Sequence, residues 1–318
     1  MKKDEIVSLA KGLATRIPFL YSLLRQRQMN PGDATAAYSY AVWLKHLSLL
    51  HDLTGAGVPH VVAELGPGDT LGTGVAALLS GAERYFGVDV LPFAQGGQTM
   101  KVANDLVDLF RSRAPVEVSG WPDFRPLLDD RSFPSGVLSQ ESLAASLAPE
   151  RTNAILVAAA RAIALEDDRN ACMRYAAPFD ASSIPPESVD LFVSQSVLEH
   201  VEDLPQAFAL MRGWLKPGGM MSHQFDLRSH NITRTWDGHR AFGKRSWKIV
   251  VGNRPFLLNR LPFCDIVETV ERAGFRIVDS RRNIVEPTLA RAELCAAWRD
   301  LADVELGTIG GYVLAQRL

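Results

Sequence analysis

The 318-residue chain is 47% hydrophobic and 22% charged, with a formal net charge of −2, so it can bury one substantial core but has no general attraction for phosphate backbones. One main domain carrying insertions is therefore expected, and nucleic acid is excluded as the expected partner. Cys172, Cys264 and Cys295 stand apart, without a CxxC pair or an even framework, which fits a reducing cytoplasm better than secretion.

The opening "MKKDEIVSLAKGLATRIPFLYSLLRQRQ" is interrupted by Lys11, Arg16 and Arg25, so it reads as amphipathic helix and not as a signal peptide's continuous apolar core. From Asp33, a candidate N-cap, to about Thr54, the spacing of Val42, Leu44, Leu47 and Leu50 predicts a second helix. Residues 1–58 are thus expected to form an N-terminal helical cap ahead of a main domain over 59–318. On this second helix Tyr38, Tyr40 and Trp43 either close over a ligand or simply pack.

Next come "HVVAEL", "RYFGVDV", "SVDLFVSQ" and "GGMMSHQF", β-prone runs with little polar alternation, as parallel strands buried on both faces require. Helical stretches separate most of them. "GFRIVDSRR" and "GGYVLAQRL" add two strands around a helical "LARAELCAAWRDLA", and the last strand can close the sheet antiparallel. The plan is α/β. Two stretches, about 115–170 and 226–260, exceed ordinary connections and are candidate lids or substrate walls. "AILVAAARAIAL" is broken by Arg161 and falls short of the ~20 residues a membrane span needs.

The chemistry concentrates in "ELGPGDTLGTG". A glycine-rich turn after a strand brings bare backbone to the carboxyl edge of a sheet, where ligands bind in this architecture. Gly66, Gly68 and Gly72 are spaced GxGxxxG instead of the dinucleotide GxGxxG, with Pro67 inside the turn and Glu64 two residues ahead of it. A pyrophosphate is disfavoured beside that carboxylate, whereas a ligand's amino group suits it. The alternative is a generic tight turn. About twenty residues on, Asp89 ends the next strand, where a carboxylate can accept both hydroxyls of a ribose or cap the following segment.

With "ELGPGDTLG", "GVDV" and "FDASSIPPESVDLFVSQSVLEHVEDLPQAFALMRGWLKPGG" in this order, the chain resembles the class I S-adenosylmethionine-dependent methyltransferases of Rossmann-like fold, particularly the subgroup similar to the ubiquinone- and menaquinone-biosynthesis enzymes. The resemblance covers about residues 60–225. It implies a mostly parallel seven-stranded sheet of order 3-2-1-4-5-7-6 with the last strand antiparallel. It also implies a cofactor site in which Gly66, Pro67 and Gly68 pass under the methionine and ribose, Glu64 serves the ammonium group and Asp89 the diol. Asp180, followed by Ala181, would meet the adenine amine; Phe179 or Val90 and Leu91 would sandwich the ring; Ser194 and Gln195 would lie near the sulfonium. The bland alternatives are a turn-forming Asp180 and ordinary buried neighbours.

Methyl transfer needs alignment and, for many acceptors, a base. The candidates are His200 after the fourth strand and His223, Asp226 and His230 after the fifth. His200 can equally be structural. His223, Asp226 and His230 also have the spacing of a metal trio, but no metal is expected, since nothing else forms a ligand cluster. In "NITRTWDGHRAFGKRSWKIVVGNRPFLLNRL", Arg234, Arg240, Lys244, Arg245 and Arg254 interleave with Trp236 and Trp247, which suits an anionic or sugar-bearing substrate or a solvated hairpin. Asn259 and Arg260 face the site or merely begin a helix.

The expected function is S-adenosylmethionine-dependent transfer of a methyl group to a small polar acceptor such as a sugar, with S-adenosylhomocysteine as product. The alternatives are an NAD-dependent oxidoreductase, a cofactor-binding protein without turnover, and a nucleic-acid methyltransferase. "SQSVLEH" lacks the Asn-Pro-Pro-aromatic sequence of base-amine enzymes and weighs against the last.

Overall fold

The computed structural model describes residues 3–17, 35–116, 127–128, 130–166 and 168–318. Helix α1 (Lys3–Ala14) and the long α2 (Ala36–Thr54) precede the sheet. The observed N-cap of α2 is Thr35, whose hydroxyl accepts from the Tyr38 N–H at 3.1 Å, and Gly55 ends the helix at φ +71°. Asp33 lies outside the described residues.

There follow β1 (Val61–Leu65), α3 (Gly72–Leu79), β2 (Arg84–Val88), α4 (Gly96–Ser112), α5 (Gln140–Ser146), α6 (Pro149–Ile163), β3 (Met173–Ala176) and β4 (Val189–Gln195). Then come α7 (Leu204–Trp214), β5 (Leu215–Asp226), α8 (Lys244–Val251), α9 (Phe263–Arg272), β6 (Phe275–Ile284), α10 (Ala296–Arg299), α11 (Asp303–Gly307) and β7 (Thr308–Arg317). The strands form one sheet of order β3-β2-β1-β4-β5-β7-β6, with β7 antiparallel to both neighbours and the other pairs parallel apart from β6. This is the sheet the sequence resemblance implies. Strand β3, four residues on the far edge, carries too short an apolar pattern to stand out in the sequence.

Both sheet faces are covered, which explains the unbroken apolar runs. Successive side chains of β1 enter different cores: Val62 packs with α2, α3, α4 and α6, whereas Ala63 and Leu65 pack with α7 and α9. Helix α2 belongs to the first core. Its Trp43, Leu44 and Leu47 are fully buried, each worth about 1.5–3 kcal/mol by area, and the Trp43 indole N–H donates to Ser80 Oγ at 2.7 Å. Tyr40 is also buried, its hydroxyl donating to the Ala114 carbonyl. Of the three aromatic residues on this helix, only Tyr38 stays half-buried.

Several expectations change. The described part of the 115–170 stretch is scaffold, not a wall around the site: α6 packs on α3, α4 and β3, and Arg151 donates to the Leu78 and Ala82 carbonyls. The 226–260 stretch is no hairpin. It contains α8, against which α1 packs so closely that a side chain at Gly12 would meet the Ile249 and Val250 carbonyls. The helix expected over "LARAELCAAWRDLA" is broken: Leu294 and Cys295 are extended because the Cys295 N–H donates to the Arg240 carbonyl, leaving only α10. No helix among the described residues is long and apolar enough to cross a membrane.

Candidate active site

Because β1, β2, β4 and β5 run parallel, their carboxyl ends share one edge, where Glu64 stands in register with Gly87 and Val193, and Gln195 with Gln224. The turn after β1 has Gly66 at φ +67° and Gly68 at φ +72°, a region that side-chain-bearing residues rarely adopt. A Cβ on Gly66 would lie 2.7 Å from Val197, whereas one on Gly68 would meet nothing within 4 Å. Gly66 is thus required by the protein's own packing, and Gly68 leaves bare chain facing open space. Pro67 sits between them.

Two carboxylates border this turn. Glu64, 3% exposed, accepts from the Tyr85 hydroxyl at 2.5 Å, with Thr73 as a second hydroxyl partner; burial pushes its pKa up to about 7 despite those hydrogen bonds. Asp89, 6% exposed, accepts from the Val90 N–H at 2.7 Å and from the Gly68 and Leu91 backbone, and burial raises it to about 6. The charge of Asp89 adds to the upward shift of Glu64, so the two acids lie within each other's field. Neither forms an ion pair among the described residues. A cationic, diol-bearing ligand fits such a pair.

Beside Asp89, Val90 and Leu91 are exposed apolar residues, 42% and 38%. Phe179 N–H donates to the Asp89 carbonyl at 3.2 Å, and its ring meets Trp214 edge-on at 6.1 Å, which fixes it beside this rim. Asp180 and Ala181 are exposed. Asp180 Oδ1 accepts from the Ser182 N–H and hydroxyl at 2.8 and 2.6 Å, so it does build the local turn, and those bonds lower its pKa. The Ala181 carbonyl accepts from the Trp214 indole at 3.0 Å.

Beyond β4 the structure separates residues that the sequence grouped. Ser194 and His223 are fully buried and paired, Ser194 Oγ to Nδ1 at 2.8 Å, with the imidazole between Phe192 and Phe208. Burial holds His223 near 3, so it stays neutral in the core and cannot act as a base in the cleft. Ser194 likewise does not reach the edge. Gln195 does reach it, but its Oε1 accepts from Lys45 Nζ at 2.5 Å; the same nitrogen donates to Gln224 Oε1 at 2.7 Å, tying α2 to β4 and β5. Asp226 is also committed. Arg228 donates to both of its oxygens, at 2.9 Å (Nε to Oδ1) and 2.7 Å (Nη2 to Oδ2), which removes it as a free base.

His200 and His230 converge, with ring centroids 4.8 Å apart, and Glu199 joins them. Glu199 is 1% exposed. Its Oε1 accepts from the Asp226 N–H at 3.1 Å, its Oε2 has no partner among the described residues, and burial with the neighbouring Asp226 charge pushes its pKa well up. His200 is lowered to about 4 by burial and by His230. The turn carrying Glu199 and His200 is clamped by Asn259, whose side-chain N–H groups donate to the Leu198 and Val201 carbonyls and whose backbone N–H donates to that of Glu199. Ser196, His230, Asn231 and Arg260 around this cluster all have positive φ without being glycine, a concentration of backbone strain typical of functional rims. Across the cleft, Tyr38 has its hydroxyl pKa raised by burial and by Glu64, Glu199 and Asp226, so it faces both groups of acids.

The sequence reading did not single out Glu199, and it left Tyr38 open between closing over a ligand and packing. Glu199 was readable within "LEH"; Tyr38 differs from Tyr40 and Trp43 only through its tertiary neighbours. In the arginine and tryptophan segment Arg234, Lys244 and Arg245 are exposed, whereas the other arginines are turned to backbone carbonyls. Buried Arg240 lies between Trp236 and Trp298, 4.6 and 4.4 Å from their centroids, and donates to the Leu306 and Thr308 carbonyls; Arg260 lies over Trp247 and donates to the His239 and Phe242 carbonyls. Arg254 is turned to the Val250 carbonyl.

A family profile described as a methyltransferase domain matches residues 141–222, from α5 into β5, so the glycine turn and Asp89 precede the matched stretch. No curated protein matches the chain by sequence. Among solved structures, it is similar to an S-adenosylmethionine-dependent methyltransferase from Mesorhizobium loti (19% identity, 85% of this chain and 96% of that one, TM-score 0.40). It is also similar to a putative one from Listeria monocytogenes (11%, 85% and 98%, 0.39). A third similar structure is the phosphoethanolamine N-methyltransferase 2 of Haemonchus contortus in complex with phosphomonomethylethanolamine and S-adenosylhomocysteine (15%, 86% and 52%, 0.41). The matched stretch is thus similar to a methyltransferase domain, and the sheet order is the one that the sequence resemblance implies for the Rossmann-like fold. The ubiquinone- and menaquinone-type subgroup gains no support from these matches.

Proposed function

We propose that the chain methylates a small polar acceptor, of which a hydroxyl-bearing metabolite such as a sugar is the leading class, at the edge between Glu64 and Glu199. The supporting observation is the pair of buried carboxylates, Glu64 and Asp89, which have hydrogen-bond donors but no ion-pair partner among the described residues, on either side of a positive-φ glycine turn. When bound, S-adenosylmethionine supplies an electrophilic methyl group, which leaves its sulfur as the acceptor's lone pair attacks in line. Glu64 would hold the ammonium group, Asp89 the ribose hydroxyls, Gly66, Pro67 and Gly68 the backbone cradle, and Val90, Leu91, Phe179, Asp180 and Ala181 the adenine. Gln195, fixed by Lys45, would line the junction of donor and acceptor.

On the acceptor side, Tyr38 covers the cleft and excludes water, while Glu199, His200 and His230 receive the acceptor and the proton it releases. Asp226 acts through its hold on this edge and not as the base. The test is transfer of a radiolabelled methyl group from S-adenosylmethionine to a panel of hydroxyl- and amine-bearing small molecules. Labelled hydroxyl product, reduced strongly by Tyr38→Phe and Glu199→Gln, supports the reading. Cofactor binding with no turnover on any acceptor supports a non-catalytic binding protein instead.

A further inference from the structure

We propose that Glu199, His200 and His230 form a binding site for a divalent first-row transition-metal ion, such as Mn²⁺ or Zn²⁺, on the acceptor side of the cleft. Ligand-capable atoms of the three residues lie within 4.8 Å of one another, close enough for a single ion to be reached by all of them. They come from two separate places, the turn after β4 and the loop after β5, so the cluster is not a by-product of one local turn.

Two buried atoms are open for ligation: Glu199 Oε2, on a side chain 1% exposed, and His200 Nδ1, both without a hydrogen-bond partner among the described residues. An orphaned carboxylate oxygen at that depth is costly unless something positive meets it. The other face of His200 interacts with the Phe256 backbone carbonyl, which suits Nε2–H as donor and leaves Nδ1 as the lone-pair nitrogen. Glu199 is held on its other oxygen by the Asp226 N–H, and Asp226 in turn lies 3.5 Å from His230 Nε2, so each candidate ligand has an outer partner that fixes it. Arg228 pairs with Asp226, and no cationic side chain forms an ion pair with Glu199 among the described residues.

Two imidazoles with one carboxylate favour Mn²⁺, Fe²⁺ or Zn²⁺ over the oxygen-seeking Mg²⁺ and Ca²⁺. His230 opens to solvent, which leaves room for water or an acceptor oxygen on the ion. With the ion bound, the three residues would act as its ligands in place of taking the proton themselves, and a hydroxyl on the ion would release its proton to water more readily because the ion lowers its pKa. That role rests on the methyl-transfer reading, whereas the binding site itself does not.

The full chain, stripped with chelator and desalted, is titrated separately with Mn²⁺, Zn²⁺ and Mg²⁺, with bound metal counted by mass spectrometry and Mn²⁺ followed by its electron paramagnetic resonance. One Mn²⁺ or Zn²⁺ per chain is expected, held at least tenfold tighter than Mg²⁺. Glu199→Gln and His230→Asn should each weaken it at least tenfold while S-adenosylhomocysteine affinity changes less than twofold. Asparagine tolerates the φ of +47° at position 230, so this variant remains informative if Glu199→Gln fails to fold. No stoichiometric uptake by folded wild type, or equal uptake by variants with wild-type melting temperatures, overturns the site. Metal uptake without S-adenosylhomocysteine binding would instead sink the donor assignment and leave this one standing.

Discussion

The two ends of the cleft are built differently. The proposed donor end, Glu64 to Gly68 with Asp89, comes from the tips of two adjacent parallel strands and the turns that leave them, and its geometry is dictated locally by glycine and strand register. The proposed acceptor end, Tyr38, Glu199, His200 and His230, is gathered from three distant segments and held by Asn259 and Arg228. The first depends on one short stretch and its neighbouring strand, the second on contacts between segments far apart in sequence.

Substitutions should break the two ends separately. The largest effect is expected from Gly66→Val, which combines an unfavourable φ with collision against Val197; about 2–4 kcal/mol of stability should be lost in chemical denaturation, together with cofactor binding. Next is Asp89→Ala, which should weaken S-adenosylmethionine by about 1–3 kcal/mol, read by calorimetry, from loss of hydrogen bonds to the diol. An unchanged affinity in a folded variant would remove Asp89 from the donor end.

The third effect is on pH. Glu64 and Asp89 have folded pKa values of about 7 and 6, above the ordinary carboxylate range, so the folded apo chain binds protons more tightly than the unfolded one. Their contribution to stability is therefore complete below about pH 4 and is lost as pH rises through 6 to 7. The affinity for a cationic ligand should run the other way, strengthening about tenfold from pH 6 to 8 as Glu64 ionises. Glu64→Gln should flatten both slopes, in melting curves and in titrations. The smallest effect is on the core: Ser194→Ala leaves His223 Nδ1 without its partner and should cost about 1–2 kcal/mol of stability with no change in cofactor affinity.

The strands other than β3 and the glycine turn after β1 were legible because strand periodicity and glycine spacing are short-range signals, whereas the sheet order was implied by the family resemblance alone. What the sequence hid depends on depth and on contacts between distant segments. His223 and His200 look alike in a list of histidines, yet one side chain points into the sheet's core and the other to its edge, a difference set by strand alternation at β5 and the turn after β4. Arg240 reads as a substrate contact until its guanidinium is found between two indoles. Glu199 can be picked out within "LEH", but that its Oε2 is buried without a partner among the described residues is a tertiary fact.

The most direct test of the central claim, that Glu64, Asp89 and the turn between β1 and α3 hold a sulfonium nucleoside, is calorimetric titration of the full chain with S-adenosylmethionine and with NAD. One molecule of S-adenosylmethionine should bind per chain, with the heat abolished or strongly reduced in Asp89→Ala, and NAD should give none. Saturable NAD binding with no heat from S-adenosylmethionine would contradict it.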